Sequence, residues 1–343
     1  MRIAITADPE LPVPPPLYGG VQRVIDLLVR GLVDRGHDVT LFAHPDSDVP
    51  CRHIPLPGSD SRDGFDTVKN TLTLSRLAVY QPDIIHSASR LAYLTPLLPL
   101  RIPKIMNYHR LPTVERVQKA MLLARNNSLA FTGVSQHIAD RIRPYASAYA
   151  VYNAVSMRTY DFQADVPSDA PLAFLGRIEP IKGTHHAVEV SQRTGRDLTI
   201  AGNIPDDHED YFQKYIHPHI DGKQIRYIGT VDDSEKNEML GKSAALLMPI
   251  DIEEAFGLVM AEAMACGTPI VGFRRGAVPE VVSHGTTGFV CDSVDGMVES
   301  VQNIEEVDRT ACRSRCEEMF SQNAMVNAYE RVYRARISDL KSS

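Results

Sequence analysis

Residues 244–292 read AALLMPIDIEEAFGLVMAEAMACGTPIVGFRRGAVPEVVSHGTTGFVCD. The apolar run at 244–250 has the composition of a buried strand, and the acidic loop Asp251-Ile252-Glu253-Glu254 follows it. After Ala255, Phe256-Gly257 opens a run of good helix formers at 258–265, which Gly267 stops. A second apolar strand comes at 269–273. Strand, polar loop, helix and strand make a βαβ unit, so the chain reads as α/β with a parallel, doubly wound sheet. Sheets of this kind bind ligands beyond the carboxyl ends of their strands.

The start of that helix suits a phosphorylated ligand. Gly257 permits close backbone approach, and the N–H groups that follow it form an anion site reinforced by the helix dipole. Glu262 lies roughly 7.5 Å further along the axis at 1.5 Å per residue, about the span from a pyrophosphate to its ribose. A nucleotide sugar laid across this start would meet Glu254 at its sugar, the amides of Gly257 and Leu258 at its phosphates, and Glu262 at its ribose.

Glu254 and Glu262, with seven residues between them, stand among Phe256-Gly257-Leu258 and Glu262-Ala263-Met264-Ala265-x-Gly267-x-Pro269-x-Val271. This pattern resembles the Glu-x7-Glu signature of retaining glycosyltransferases of family 4. The resemblance implies the GT-B fold, two Rossmann-like domains facing across a cleft. It also implies donor contacts from Ala255, Phe256, Gly257, Leu258 and Val259, with Glu254 catalytic and Glu262 on the ribose.

At 343 residues the chain suits two domains, each able to bury a core. Residues 1–158 hold 18 Lys and Arg against 13 Asp and Glu, a net +5, and the rest hold 18 against 30, a net −12. The basic half could favour an anionic acceptor or a membrane surface, but a solvated mixed surface accounts for so small an excess. No nucleic-acid partner is expected. No apolar run approaches the roughly 18 residues of a spanning helix, and residues 1–6 enter a strand-like run without a signal pattern, which predicts a cytoplasmic protein. Cys51, Cys266, Cys291, Cys312 and Cys316 lack metal-type spacing and read as free thiols.

The N-terminal half opens with a strand at 3–7, a Pro-rich segment, and Tyr18-Gly19-Gly20-Val21. An amphipathic helix at 21–35 and a strand at 38–43 follow. Gly19 and Gly20 expose backbone amides at the helix start, and the missing G-x-G-x-x-G counts against a nicotinamide domain. Further strands are expected at 84–86, 104–109, 129–135 and 149–152, which puts His86 and His109 at strand ends. The resemblance places Gly19 and Gly20 near the donor phosphates and His109 beside the reacting sugar. The basic amphipathic run 113–125 fits either a surface helix packed on the sheet or an interfacial membrane helix, and the former is expected.

The joint between domains falls near Asn153-Ala154-Val155, giving an acceptor-side domain over 1–157 and a nucleotide-sugar domain over 158–322. A last helix, at about 323–343, is expected to pack back on the first domain. Residues 172–175 start the second core and end in Gly176-Arg177-Ile178-Glu179-Pro180-Ile181-Lys182-Gly183, and further strands are expected at 197–201 and 224–228. Two cations in a Gly- and Pro-bounded loop after a strand are placed to clamp a pyrophosphate. The loop resembles the family's Gly-Arg…Lys-Gly motif, although Ile181 stands where the family usually has Glu. The resemblance makes Gly176 a donor contact, Arg177 and Lys182 leaving-group stabilisers, and Gly229, Thr230 and Val231 base-side contacts. Gly276-Ala277-Val278-Pro279-Glu280 resembles another family helix start, with Glu280 a first-turn carboxylate.

Asp46-Ser47-Asp48 and His217-Pro218-His219 lack further ligands, so no metal and no cofactor is expected. The expected activity is metal-independent transfer of a hexosyl group from a nucleotide sugar, UDP-linked first and GDP-mannose second. The acceptor is a hydroxyl of a sugar, lipid or small molecule. The alternatives are a sugar-nucleotide epimerase on the same fold and a non-catalytic sugar-nucleotide-binding protein. Oligomeric state is left open.

Overall fold

The computed structural model describes residues 1–16 and 19–342, apart from the side chains of Ala78 and Val79; Tyr18 of the first glycine motif lies outside them. The chain divides into two compact units, 1–154 with the helix Gln322–Ser342, and 155–321.

The first unit carries strands β1 (Arg2–Thr6), β2 (Asp38–Ala43), β3 (Arg52–Pro55) and β4 (Ile84–Ser87). It continues with β5 (Lys104–Tyr108), β6 (Leu129–Gly133) and β7 (Ala148–Ala150). They form a seven-stranded sheet in the order β3-β2-β1-β4-β5-β6-β7, every pair parallel. The second unit carries β8 (Leu172–Leu175), β9 (Leu198–Ala201), β10 (Ile225–Tyr227), β11 (Ala245–Met248), β12 (Ile270–Phe273) and β13 (Gly288–Cys291). Their order is β10-β9-β8-β11-β12-β13, again all parallel. Apolar side chains on both faces explain this, since parallel sheets are covered on both sides; β6, β11 and β12 are buried throughout.

Each order reverses once, between β1 and β4 in the first sheet and between β8 and β11 in the second. The loops leaving those strands diverge, and the crevice they leave is where a doubly wound sheet takes its ligand. The fold thus singles out the loops after β8 and β11, and those after β1 and β4.

The helix Gln322–Ser342 returns to the first unit and buries Met325, Val326, Tyr329, Val332 and Tyr333. Gly31 lets it approach the helix Gly20–Asp34, for a Cβ there would sit 2.6 Å from Val326 Cγ2. Glu330 meets Arg35 at 2.9 Å and His37 at 2.6 Å. Tyr333 OH lies 2.6 Å from Nδ1 of His86, whose ring packs 4.6 Å from that of Tyr329. Burial pushes the His86 imidazole down to about 3, so it is neutral at ordinary pH.

Some boundaries differ from the sequence reading. Strands β3 and β13 are additions: β3 lies at the sheet edge with half-exposed residues, and β13 offers only the three apolar residues Phe289, Val290 and Cys291 after a glycine. The basic amphipathic helix spans Val114–Leu123, buries only Val117 and Ala120, and leaves Leu122 86% exposed. Among the described residues, no helix is long and apolar enough to cross a membrane.

Candidate active site

In the second unit, the loop after β8 ends at Gly183 in a left-handed conformation, φ 73°. A Cβ there would lie 1.8 Å from the Pro249 carbonyl oxygen, so the Lys182-Gly183 turn rides directly over the end of β11. Ile181 O accepts a hydrogen bond from Asp251 N at 2.9 Å and ties the two loops together. That crossing sets Lys182 Nζ 2.8 Å from Glu254 Oε2, with the side chains 20% and 15% exposed. The other oxygen, Oε1, accepts from Ala255 N at 3.1 Å. Beneath them Gly276, φ 52°, leaves room for the Glu254 backbone, which a Cβ would meet at 2.2 Å. Ala277 N then donates to Glu254 O at 2.8 Å. Glu254 is therefore fixed through its backbone and both carboxylate oxygens.

Arg177 is more open, 45% exposed, with Nη2 at 2.8 Å from Oε1 of the buried Glu179. The contact is an ion pair without hydrogen-bond alignment, so this guanidinium is tethered but not locked. The helix Leu258–Ala265 starts at Gly257 with no side-chain cap, which leaves its first N–H groups to serve an anion. On the same helix Glu262 is 8% exposed, and its Oε1 accepts from Tyr160 OH at 2.8 Å and from Lys236 Nζ at 2.7 Å. Gly229, Thr230 and Val231 form the loop after β10. Gly229 O accepts from Gly202 N at 2.7 Å, and a capping box from Asp232 and Glu235 closes the far end.

Arg177, Lys182, Glu254 and residues 255–259 thus come from the two loops at the switch point of the second sheet, while Gly229, Thr230 and Val231 follow the outer strand β10. Gly176 ends β8, with its N–H donating to Ala201 O at 3.0 Å. Gly19, Gly20 and His109 belong to the first unit. Gly19 and Gly20 start the helix Gly20–Asp34, again without a side-chain cap. His109 follows β5, with its Nε2 2.9 Å from Asn107 Nδ2. Burial, helped by Arg110, pushes this imidazole down to about 4, so it is neutral at pH 7.

Sequence reasoning missed Glu179, Tyr160 and Lys236. Ordinary acidic and basic residues in a loop or helix give no signal of burial, and their partners are distant in the chain. It also missed His185, His186 and Asp251, whose ligand-type atoms all lie within 4.8 Å of one another, the one such group among the described residues. His186 Nε2 is 3.3 Å from Asp251 Oδ2, and Tyr211 OH is 2.7 Å from His185 Nδ1. These three residues could hold a divalent ion. Asp46 is instead 84% exposed, near His44.

Two sequence profiles match adjoining parts of the chain, that of Glycosyltransferase Family 4 over residues 18–157 and that of Glycosyl transferases group 1 over residues 158–322. The chain belongs to the family-4 glycosyltransferases and has the GT-B fold. It is a glycosyltransferase. It is 25% identical to the glycogen synthase of Mycobacterium tuberculosis over 386 residues, covering 94% of this chain and 92% of that protein. Among solved structures it resembles sucrose-phosphate synthase from Thermosynechococcus elongatus, with a TM-score of 0.79 at 19% identity over 98% of this chain and 99% of the other. It also resembles HepE of Anabaena, solved with UDP and glucose, with a TM-score of 0.73 at 15% identity over 98% and 100%.

Proposed function

We propose that the protein transfers a hexosyl group from a nucleotide sugar to an acceptor hydroxyl with retention of configuration and without a metal ion. The observation that carries this reading is the Lys182–Glu254 pair, held at the sheet's switch point beside Arg177 and the uncapped helix start at Gly257. Breaking a glycosidic bond to a diphosphate builds charge on the departing oxygen, and preorganised cations and amides stabilise it where it forms. Lys182, Arg177 and the Gly257 and Leu258 amides take that role. Glu254, already fixed, orients the hexose hydroxyls, and displacing Lys182 towards the diphosphate frees Oε2 for them. Glu262 presents its remaining oxygen, Oε2, to the ribose. In the first unit, the neutral His109 and the Gly19-Gly20 amides are assigned to the reacting sugar and the acceptor.

A UDP-linked hexose is the first choice of donor, as HepE was solved with UDP and glucose. A reducing cytoplasm suits the five free thiols, four of them buried. The test is thermal stabilisation by UDP, GDP and ADP, since a ligand at 100 times its Kd adds about 2.7 kcal/mol. A preference for one nucleotide, lost in Lys182→Met, supports the reading. A shift that survives unchanged in Lys182→Met sinks the assignment of the phosphate site.

A further inference from the structure

The first unit has a cavity of about 450 Å³ at its own switch point. Asp8 and Glu10 reach it from the segment after β1, Arg90 from the loop after β4, and Arg110 from the loop after β5. Arg62 arrives from the loop between β3 and the helix Gly64–Ser75. Asp60 lines it from the same loop as Arg62, so separate loops deliver three guanidinium groups and three carboxylates to one space. All three carboxylates are held by backbone: Arg90 N donates to Asp8 Oδ1 at 3.1 Å, Ser61 N to Glu10 Oε1 at 2.9 Å and Arg62 N to Asp60 Oδ1 at 2.7 Å. Among the described residues, no carboxylate lies within ion-pair distance of the Arg62, Arg90 or Arg110 side chains, although carboxylates line the same cavity.

A single unpaired arginine on a surface means little, because water solvates it. Three that converge on one concavity without an ion-pair partner differ, because a guanidinium fork is shaped to take an oxyanion through two N–H bonds. Asp8 behaves differently from a simple counter-ion. Burial, with Glu10 adding, pushes its carboxyl up to about 6 against the pull of the Arg90 backbone N–H and of Arg110 and Arg90. Such a carboxyl is suited to hydrogen bonding with hydroxyls.

We infer that this cavity seats the acceptor, and that the acceptor is a hydroxylated compound carrying a phosphate or carboxylate group. Arg62, Arg90 and Arg110 grip the anion while Asp8 and Glu10 take up its hydroxyls. The inference rests on the glycosyl-transfer reading above for the word acceptor, but not for the binding itself.

The experiment titrates the full chain with glucose, glucose 6-phosphate and glucuronate by calorimetry at constant ionic strength. At least one charged sugar should bind where glucose does not. Arg90→Gln and Arg110→Gln should each weaken that binding about tenfold or more, as expected for the loss of a hydrogen bond to a charged group. Lys182→Met should leave it unchanged. Glucose binding as tightly as its charged analogues, no binding of any probe, or binding lost in Lys182→Met but kept in Arg110→Gln would each overturn the inference. Nucleotide stabilisation, measured in the same variants, separates the two readings. Its absence alongside intact anion binding defeats the donor site only. A lipid headgroup is told from a soluble anion with phosphatidic acid vesicles. The helix Gly64–Ser75, which follows Arg62, exposes Phe65, Val68 and Leu72, so Phe65→Asp should release vesicles without weakening glucose 6-phosphate.

Discussion

Replacing Gly183 by alanine tests whether the Lys182 turn is held by backbone contact, and Gly195 supplies the control. Both glycines flank the helix Thr184–Thr194, with φ of 73° and 70°. A left-handed φ costs an L-residue about 1–2 kcal/mol at either site. Around Gly195 a new Cβ meets nothing within 4 Å, so Gly195→Ala should cost no more than that. At Gly183 the Cβ must retreat from 1.8 Å to at least 3.0 Å of the Pro249 oxygen. That oxygen belongs to the end of β11, and moving it strains the Asp251–Ile181 hydrogen bond. Overpacking adds roughly 1–3 kcal/mol and the loosened bond about 1 more, so Gly183→Ala should cost roughly 3–6 kcal/mol. Urea unfolding followed by circular dichroism compares the two variants directly. Nucleotide stabilisation should disappear in Gly183→Ala and persist in Gly195→Ala. Equal losses of stability in the two variants would refute the idea that close backbone packing holds the loop.

Three further outcomes are expected. Lys182→Met should cost about 1–3 kcal/mol of stability, because the pair is largely shielded from water and the change leaves the Glu254 carboxylate without its cation. It should also slow turnover of the folded variant by about a hundredfold or more, as seen when one transition-state donor is removed; a purely structural lysine would show the loss of stability alone. Asp8→Asn should stabilise the protein by up to about 3 kcal/mol at pH 7.5 and scarcely at pH 4. The folded-state carboxyl titrates at about 6, above the ordinary 3.8, so the folded protein holds its proton more tightly and is penalised as the pH rises through that window. A stabilisation independent of pH would count against it. His86 has the reverse sense. Its folded value near 3 lies below 6.5, so its contribution is whole above pH 6.5 and is lost as the pH falls towards 3. Nitrogen NMR should find its ring still neutral at pH 5, and a charged ring there would disprove the burial argument.

Much of the second unit could be read from the chain because its signals are local. The apolar run, the acidic loop and the glycine-stopped helix of residues 244–273 sit in continuous sequence, and the helix 258–265 matches its observed bounds. The Gly183 turn is legible as a Lys-Gly pair, but not the Pro249 oxygen beneath it, which belongs to a strand far along the chain. The same distance hides Glu179 behind Arg177, and Lys236 and Tyr160 behind Glu262. It also hides the arginine cavity, since Arg62, Arg90 and Arg110 share no motif and meet only because three loops end at one edge of a sheet. Short strands such as β3 and β13 went unread for another reason. Their pairing partners stabilise them more than their own residues do.

The return of the helix Gln322–Ser342 to the first unit bears on how the protein is made. At about 5–20 residues per second, synthesis of residues 155–342 takes on the order of ten to forty seconds. Through that interval the first sheet is complete, but the segment that covers His86 and packs on the helix Gly20–Asp34 does not yet exist. The second unit, which needs nothing synthesised after residue 321, can fold before the first one is finished. The order of completion on the ribosome is then the reverse of the order of the sequence. The half-made first unit, with its apolar surface open, is the stage at which a chaperone would be needed.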